Sequence, residues 1–133
     1  MYKYQTVIRL GHTDSAGIVF FTSLFELAHE CYESFLAPDL SLASIIEQGE
    51  FLMPIVHAQA DYRTPIKLGE KFTIEMSLNK TGTTSFELGY TFINESSKIA
   101  AEVNIIHVVL QMNTWKPIEI PENLKTILSN LTP

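Results

Sequence analysis

Leu24, Phe25, Leu27, Ala28, Cys31, Tyr32, Phe35 and Leu36 recur at i, i+3, i+4, i+7 spacing, the pattern of one broad helical face. A face that wide cannot stay in water, so the rest of the chain must supply a cover for it. Glu26, His29, Glu30 and Glu33 form the opposite, polar stripe. Thr22 or Ser23 is the expected N-cap, with Glu26 placed as capping-box partner to Ser23, and Pro38 stops the helix.

The cover comes from segments that alternate with period two, as half-buried strands do. Residues 2–10 set Tyr2, Tyr4, Thr6, Ile8 and Leu10 against Lys3, Gln5, Val7 and Arg9, and Gly11 ends the run. Segment 51–64 sets Leu52, Pro54, Val56, Ala58, Ala60 and Tyr62 against His57, Gln59, Asp61 and Arg63. Strands are also expected at 71–78 and 86–92. A long one at 99–112, apolar from Ile105 to Leu110, reads as buried on both faces. Segments 41–48 and 122–131 read as short helices. Hairpin-length turns make the later strands antiparallel. The expected fold is α+β in one domain, residues 1–133, with an antiparallel sheet wrapped around one long central helix.

Nine Lys and Arg against fifteen Asp and Glu leave a charge of −6 with no basic cluster, which argues against nucleic acid as a partner. Hydrophobic residues make up 46% of the chain, so part of the surface is expected to lie against a second copy, in a dimer or a dimer of dimers. No run of about 18 apolar residues is visible and no secretory signal, so no membrane span and a cytoplasmic location are expected. The single cysteine, Cys31, cannot form an internal disulfide and sits on the apolar side of the helix.

The chemistry is expected just upstream of that helix, where Asp14 lies in a short loop with Ser15, Ala16 and Gly17. A carboxylate there stands beside the unpaired N–H groups and the positive dipole end of the helix, which together stabilise a developing oxyanion. Asp14 has an equally ordinary reading as a turn residue bonded to its neighbours. His12 is placed to orient Asp14 or contact substrate, His57 to contact a ligand or a partner subunit, and Glu30 or Glu33 to act as a second carboxylate if buried. His29 and His107 read as packing or interface residues. There is no Gly-x-Ser-x-Gly, no His or Cys pairing at metal spacing and no dinucleotide glycine loop, so no metal or cofactor is expected.

The run Gly11-His12-Thr13-Asp14-Ser15-Ala16-Gly17-Ile18-Val19-Phe20-Phe21 resembles the signature of the 4-hydroxybenzoyl-CoA thioesterase and YbgC-like family of hotdog-fold acyl-CoA thioesterases. Tyr62-Arg63-Thr64-Pro65 and Gly69-Glu70 stand where that family has its aromatic-x-x-Pro and acidic turn. The segments from His29 to Leu36 and from Phe51 to Ala58 are similar to those of 1,4-dihydroxy-2-naphthoyl-CoA thioesterases of quinone synthesis.

The resemblance implies hydrolysis of an aromatic acyl-CoA, with CoA entering only as part of the substrate. Asp14 would be nucleophile or general base, and the Phe21 N–H would polarise the thioester carbonyl. Gly17 would permit the loop. His12, Phe20, Phe51, Met53, His57 and Lys80 would contact substrate. Where the hydroxybenzoyl enzymes carry an arginine pair for the CoA phosphates, Thr83-Thr84 precede Ser85-Phe86 here, leaving Lys80 as the nearest cation. Another acyl-CoA substrate, such as hydroxybenzoyl or short-chain, and a non-catalytic acyl-CoA-binding domain are the alternatives.

Overall fold

A computed structural model describes residues 1–40, 45 and 50–131. The short helix expected at 41–48 therefore falls largely outside the described residues. The elements in chain order are β1 (Tyr2–Val7), a 3-10 turn (Leu10–His12), α1 (Phe21–Leu36), β2 (Phe51–Leu52), β3 (Ile55–Tyr62), β4 (Lys71–Thr81), β5 (Ser85–Asn94), β6 (Ile99–Val108), β7 (Leu110–Gln111) and α2 (Glu122–Ser129). Five strands form one sheet in the order β1-β4-β5-β6-β3, and every pairing is antiparallel. β2 and β7 form a separate two-stranded ladder.

α1 packs its apolar stripe against one face of the sheet. Leu24, Leu27, Ala28, Cys31, Tyr32 and Leu36 join Ile74, Met76, Leu88, Tyr90, Phe92, Val103 and Ile105 in one apolar cluster. Leu24 and Leu27 are fully buried, so truncating either to Ala would cost about 2–5 kcal/mol. The expected α+β hotdog arrangement is present, with one correction: α1, at 16 residues, is the longer of two α-helices among the described residues. α2 buries Leu124, Ile127 and Leu128, so the core has a second helical cover.

Three further expectations change. α1 begins at Phe21, with extended Phe20 as N-cap and no side-chain cap. Ser23 is instead buried in the first turn, where its N–H bonds the Phe20 carbonyl at 2.9 Å. The long last strand is two: β6 ends at Val108, the Val109 N–H still follows the β5 register to the Thr84 carbonyl at 2.8 Å, and β7 then pairs with β2 instead. β6 is also buried mainly on one face, with Glu102, Asn104, Ile106 and Val108 only partly covered. Finally, β3 is an edge strand with a bulge between Ile55 and His57, and in place of the expected half-buried alternation it is exposed at every position but the partly covered Ala60, with Val56 61% exposed.

Candidate active site

The loop from His12 to Phe21 is closed by its own backbone. The Phe20 N–H reaches the His12 carbonyl at 2.8 Å, the Asp14 N–H reaches the Ile18 carbonyl at 2.9 Å, and Thr13 and Val19 form an antiparallel bridge. Gly17 takes φ +74°, a left-handed conformation that glycine adopts without steric cost. The linker between β3 and β4 buttresses the loop: Val19 N–H bonds the Ile66 carbonyl at 2.8 Å and Leu68 N–H the Gly17 carbonyl at 3.0 Å. That linker is itself fixed by Gly69 at φ +88° and by the Glu70 carboxylate, which accepts the Lys67 N–H at 2.8 Å.

Asp14 has the turn role that its sequence context allows. Oδ1 accepts the N–H groups of Ala16 at 2.8 Å and Ile18 at 3.3 Å, a turn of the ordinary Asp kind. Oδ2 has no hydrogen-bond partner among the described residues, and the side chain is exposed. One oxygen thus holds the loop while the other stays available for chemistry. Phe21 opens α1, where the first-turn N–H groups have no acceptor within the helix. Phe20 and Phe21 are 45% and 58% exposed, with ring centroids 4.8 Å apart. His12 Nδ1 accepts the Arg9 N–H at 2.9 Å, which places its imidazole proton on Nε2.

Phe51 and Met53 belong to a second group. They line a cavity of about 330 Å³ together with His29, Tyr32, His107 and Trp115. A neighbouring cavity of about 420 Å³ shares His29 and Tyr32 and runs along Glu26, Glu30 and Glu33 to Ile55 and Ala58 of β3. Glu30 and Glu33 are exposed, so a single chain does not bury them as a second carboxylate site would require. His57 lies exposed on β3, and Lys80 lies exposed near the end of β4 opposite Glu87. Asp14 lines neither of these two cavities.

His107, Tyr32 and Trp115 were not among the expected site residues. His107 is 1% exposed, and burial holds its pKa down to about 4, against the Met53 hydrogen bond and with the help of His29 nearby. Burial also raises the Tyr32 hydroxyl pKa and pushes the Cys31 thiol up to about 12, so Cys31 is an inert core residue. The signal for His107 was in the sequence: it is the one polar residue in the apolar run from Ile105 to Leu110.

An antiparallel sheet folded over a buried helix, with a carboxylate loop at the helix entrance, defines the hotdog thioesterase class. The sequence pattern of the thioesterase-like superfamily matches residues 8–128, and the chain belongs to that family. It is 34% identical over 126 residues to the 1,4-dihydroxy-2-naphthoyl-CoA hydrolase of Synechococcus elongatus, covering 93% of this chain and 92% of that one. The protein of the same name from Synechocystis sp. is 30% identical over 132 residues, covering 98% and 96%. The crystal structure of a 1,4-dihydroxy-2-naphthoyl-CoA thioesterase from Synechocystis superposes with a TM-score of 0.92 at 30% identity, over 99% of this chain and 98% of that one. A gentisyl-coenzyme A thioesterase shares the fold at 23% identity, with a TM-score of 0.83 over 92% and 98% of the two chains.

Proposed function

We propose that this protein is an acyl-CoA thioesterase that hydrolyses 1,4-dihydroxy-2-naphthoyl-CoA to 1,4-dihydroxy-2-naphthoate and free CoA, a step in making a naphthoquinone. The observation that carries the chemistry is Asp14, whose Oδ1 is tied to the loop and whose Oδ2 is free at the mouth of α1. The substrate rests on likeness over nearly the full length to hydrolases named for that thioester. Asp14 attacks the thioester carbonyl, or takes the proton from a water that does. The carbonyl oxygen turns toward the Phe21 N–H as charge builds on it, and one such donor is worth about 3 kcal/mol in the transition state. The C–S bond then breaks and CoA leaves as thiolate, a leaving group good enough that no histidine relay is needed; where Asp14 itself has attacked, water then hydrolyses the aspartyl anhydride, releasing the acid and restoring the carboxylate. We assign the reaction no metal or cofactor.

The active unit in this reading is a homo-oligomer, a dimer or a dimer of dimers, working in the cytoplasm. What supports association is the open edge of β3, with Ile55, Val56 and Tyr62 exposed along it, and the exposed Phe20–Phe21 pair. A second copy would also supply the wall that the Asp14 loop lacks in one chain. His12, Gly17 and Phe20 then shape the reacting end, Phe51, Met53 and His57 the acyl end, and Lys80 meets the CoA phosphates. The test is thiol release from dihydroxynaphthoyl-, hydroxybenzoyl-, phenylacetyl- and short-chain aliphatic-CoA. Fastest release from the first, and a loss of at least about 100-fold in Asp14→Asn, is the expected result; wild-type turnover in Asp14→Asn would sink the mechanism.

A further inference from the structure

The cavity beneath Phe51 and Met53 holds a polar group that the chemistry above does not use. The His107 ring is stacked between others, with centroids 4.8 Å from Tyr32, 5.1 Å from Phe86 and 6.0 Å from His29. Its Nδ1 lies 3.0 Å from the Met53 carbonyl oxygen. A carbonyl has no proton to give, so Nδ1 carries the proton and donates it. With the ring neutral, Nε2 is a bare acceptor, and it has no partner among the described residues. A buried acceptor with no donor is unfavourable in any folded chain and invites an explanation from function. The His107 ring stands in the wall of a cavity whose other surfaces are apolar or aromatic, among them Phe51, Met53, His29, Tyr32 and Trp115, with Nε2 itself covered.

We propose that this cavity receives the acyl ring, and that His107 Nε2 selects a hydroxylated ring by accepting the O–H of a hydroxyl remote from the thioester. The inference deepens the thioesterase reading and rests on it for the identity of the acyl group. A hydroxyl next to the acyl carbon is satisfied internally by the thioester carbonyl, so only a remote one has a proton free to donate. The Met53 carbonyl removes the alternative tautomer, so Nε2 cannot turn into a donor. An ether, a carbonyl or a bare C–H at that ring position leaves Nε2 unpaired, and the site discriminates against each. Nε2 is closed to solvent in the empty cavity. The ring therefore enters as side chains in the wall shift, and unbranched Met53 and exposed His29 and Trp115 are the freest to do so.

Three thioesters that differ at one position test this: 1,4-dihydroxy-2-naphthoyl-CoA, its 4-deoxy analogue and its 4-methoxy analogue. Wild-type kcat/KM is expected to favour the first over both others by roughly 10–100-fold. His107→Phe, which keeps a flat ring but no acceptor, should bring the ratios to within about threefold; a purely structural residue would depress all three substrates alike. Calorimetric binding of the three free acids to the wild-type protein should give the same order, which makes the result independent of turnover. Trp115→Ala, a change at an exposed side chain, should weaken all three acids equally. Equal wild-type affinity for the three acids, an unchanged preference in His107→Phe, or unchanged affinities in Trp115→Ala would each overturn the proposal. Absence of thiol release from every thioester would instead count against the thioesterase reading, and the order of the acids would still decide this inference.

Discussion

Leu68 donates its N–H to the Gly17 carbonyl at 3.0 Å, so the loop that carries Asp14 is held by the linker that leaves the edge strand β3. Gly17 occupies φ +74°, and a Cβ built there meets nothing within 4 Å. Gly17→Ala should therefore cost only the backbone term, about 1 kcal/mol in urea unfolding. Turnover should fall further than stability does, by about tenfold or more, because the strain falls on the turn that Asp14 closes. A variant with wild-type kcat would show that the loop geometry does not matter to the chemistry.

Asp14→Asn and Asp14→Ala should separate the two uses of this side chain. Asparagine keeps an oxygen to accept the Ala16 and Ile18 N–H groups, so its stability should stay within about 0.5 kcal/mol of wild type, while alanine loses both bonds and about 1 kcal/mol. Both should be inactive in thiol release. Equal stability of the two variants in denaturant titrations would contradict the anchoring role of Oδ1.

Stability should fall as the solution is acidified from neutral. His107 stays neutral, with its one proton on Nδ1, in the folded chain down to about pH 4, whereas the unfolded chain takes up a second proton near the ordinary value of 6.5. Its contribution is complete above pH 6.5 and is lost as the pH falls from 6.5 to 4, by up to about 3 kcal/mol. His29 is lowered as well, by partial desolvation of its ring and against the pull of Glu33, and acts in the same direction. Urea midpoints at several pH values measure this; a flat profile would refute it, and His107→Phe should flatten the slope.

Gly89 makes room for Asn79 on the outer face of the sheet. A Cβ at Gly89 would come within 2.6 Å of Asn79 Nδ2, the atom that donates to Asn104 Oδ1 at 2.9 Å. Gly89→Ala should therefore displace the amide and cost about 1 kcal/mol, with turnover little changed. A Gly89→Ala protein more stable than wild type would show that the amide bond is dispensable.

Val56→Lys tests the open edge. A lysine on an edge strand opposes pairing with another strand, so sedimentation should show self-association weakened at least tenfold and thiol release reduced with it. Unaltered association would move the interface away from β3.

The central packing was legible because α1 and the strands announce themselves by period: 3.6 along Leu24, Leu27, Ala28 and Cys31, and two along Phe72, Ile74 and Met76. The Asp14 loop was legible through its Asp, Gly and aromatic pair. The start of α1 was not, because the Phe20 N–H is bonded by the His12 carbonyl across the closed loop, and that loop contact overrides the capping preference of Ser23. The break after Val108 was hidden for a similar reason: Leu110 and Gln111 pair with Leu52 and Phe51 of β2, a long-range pairing that residue type does not encode. Composition could not tell that β3 would be an edge, since strand order is settled by long-range pairing. His107 was visible only as a polar residue in an apolar run, and its significance appears when Met53 fixes its tautomer.

The two amide contacts on Asp14 Oδ1 have an entropic consequence. An unrestrained aspartate on an exposed loop samples several rotamers and must lose that freedom each time it meets a substrate. Here the side-chain torsions are set by backbone groups two and four residues ahead, in a loop already laced to the linker before β4. The freedom is surrendered once, during folding, and Oδ2 meets every substrate molecule already oriented. The activation entropy of thioester cleavage should accordingly be less unfavourable in this chain than in one whose loop has been loosened at Gly17 or Leu68.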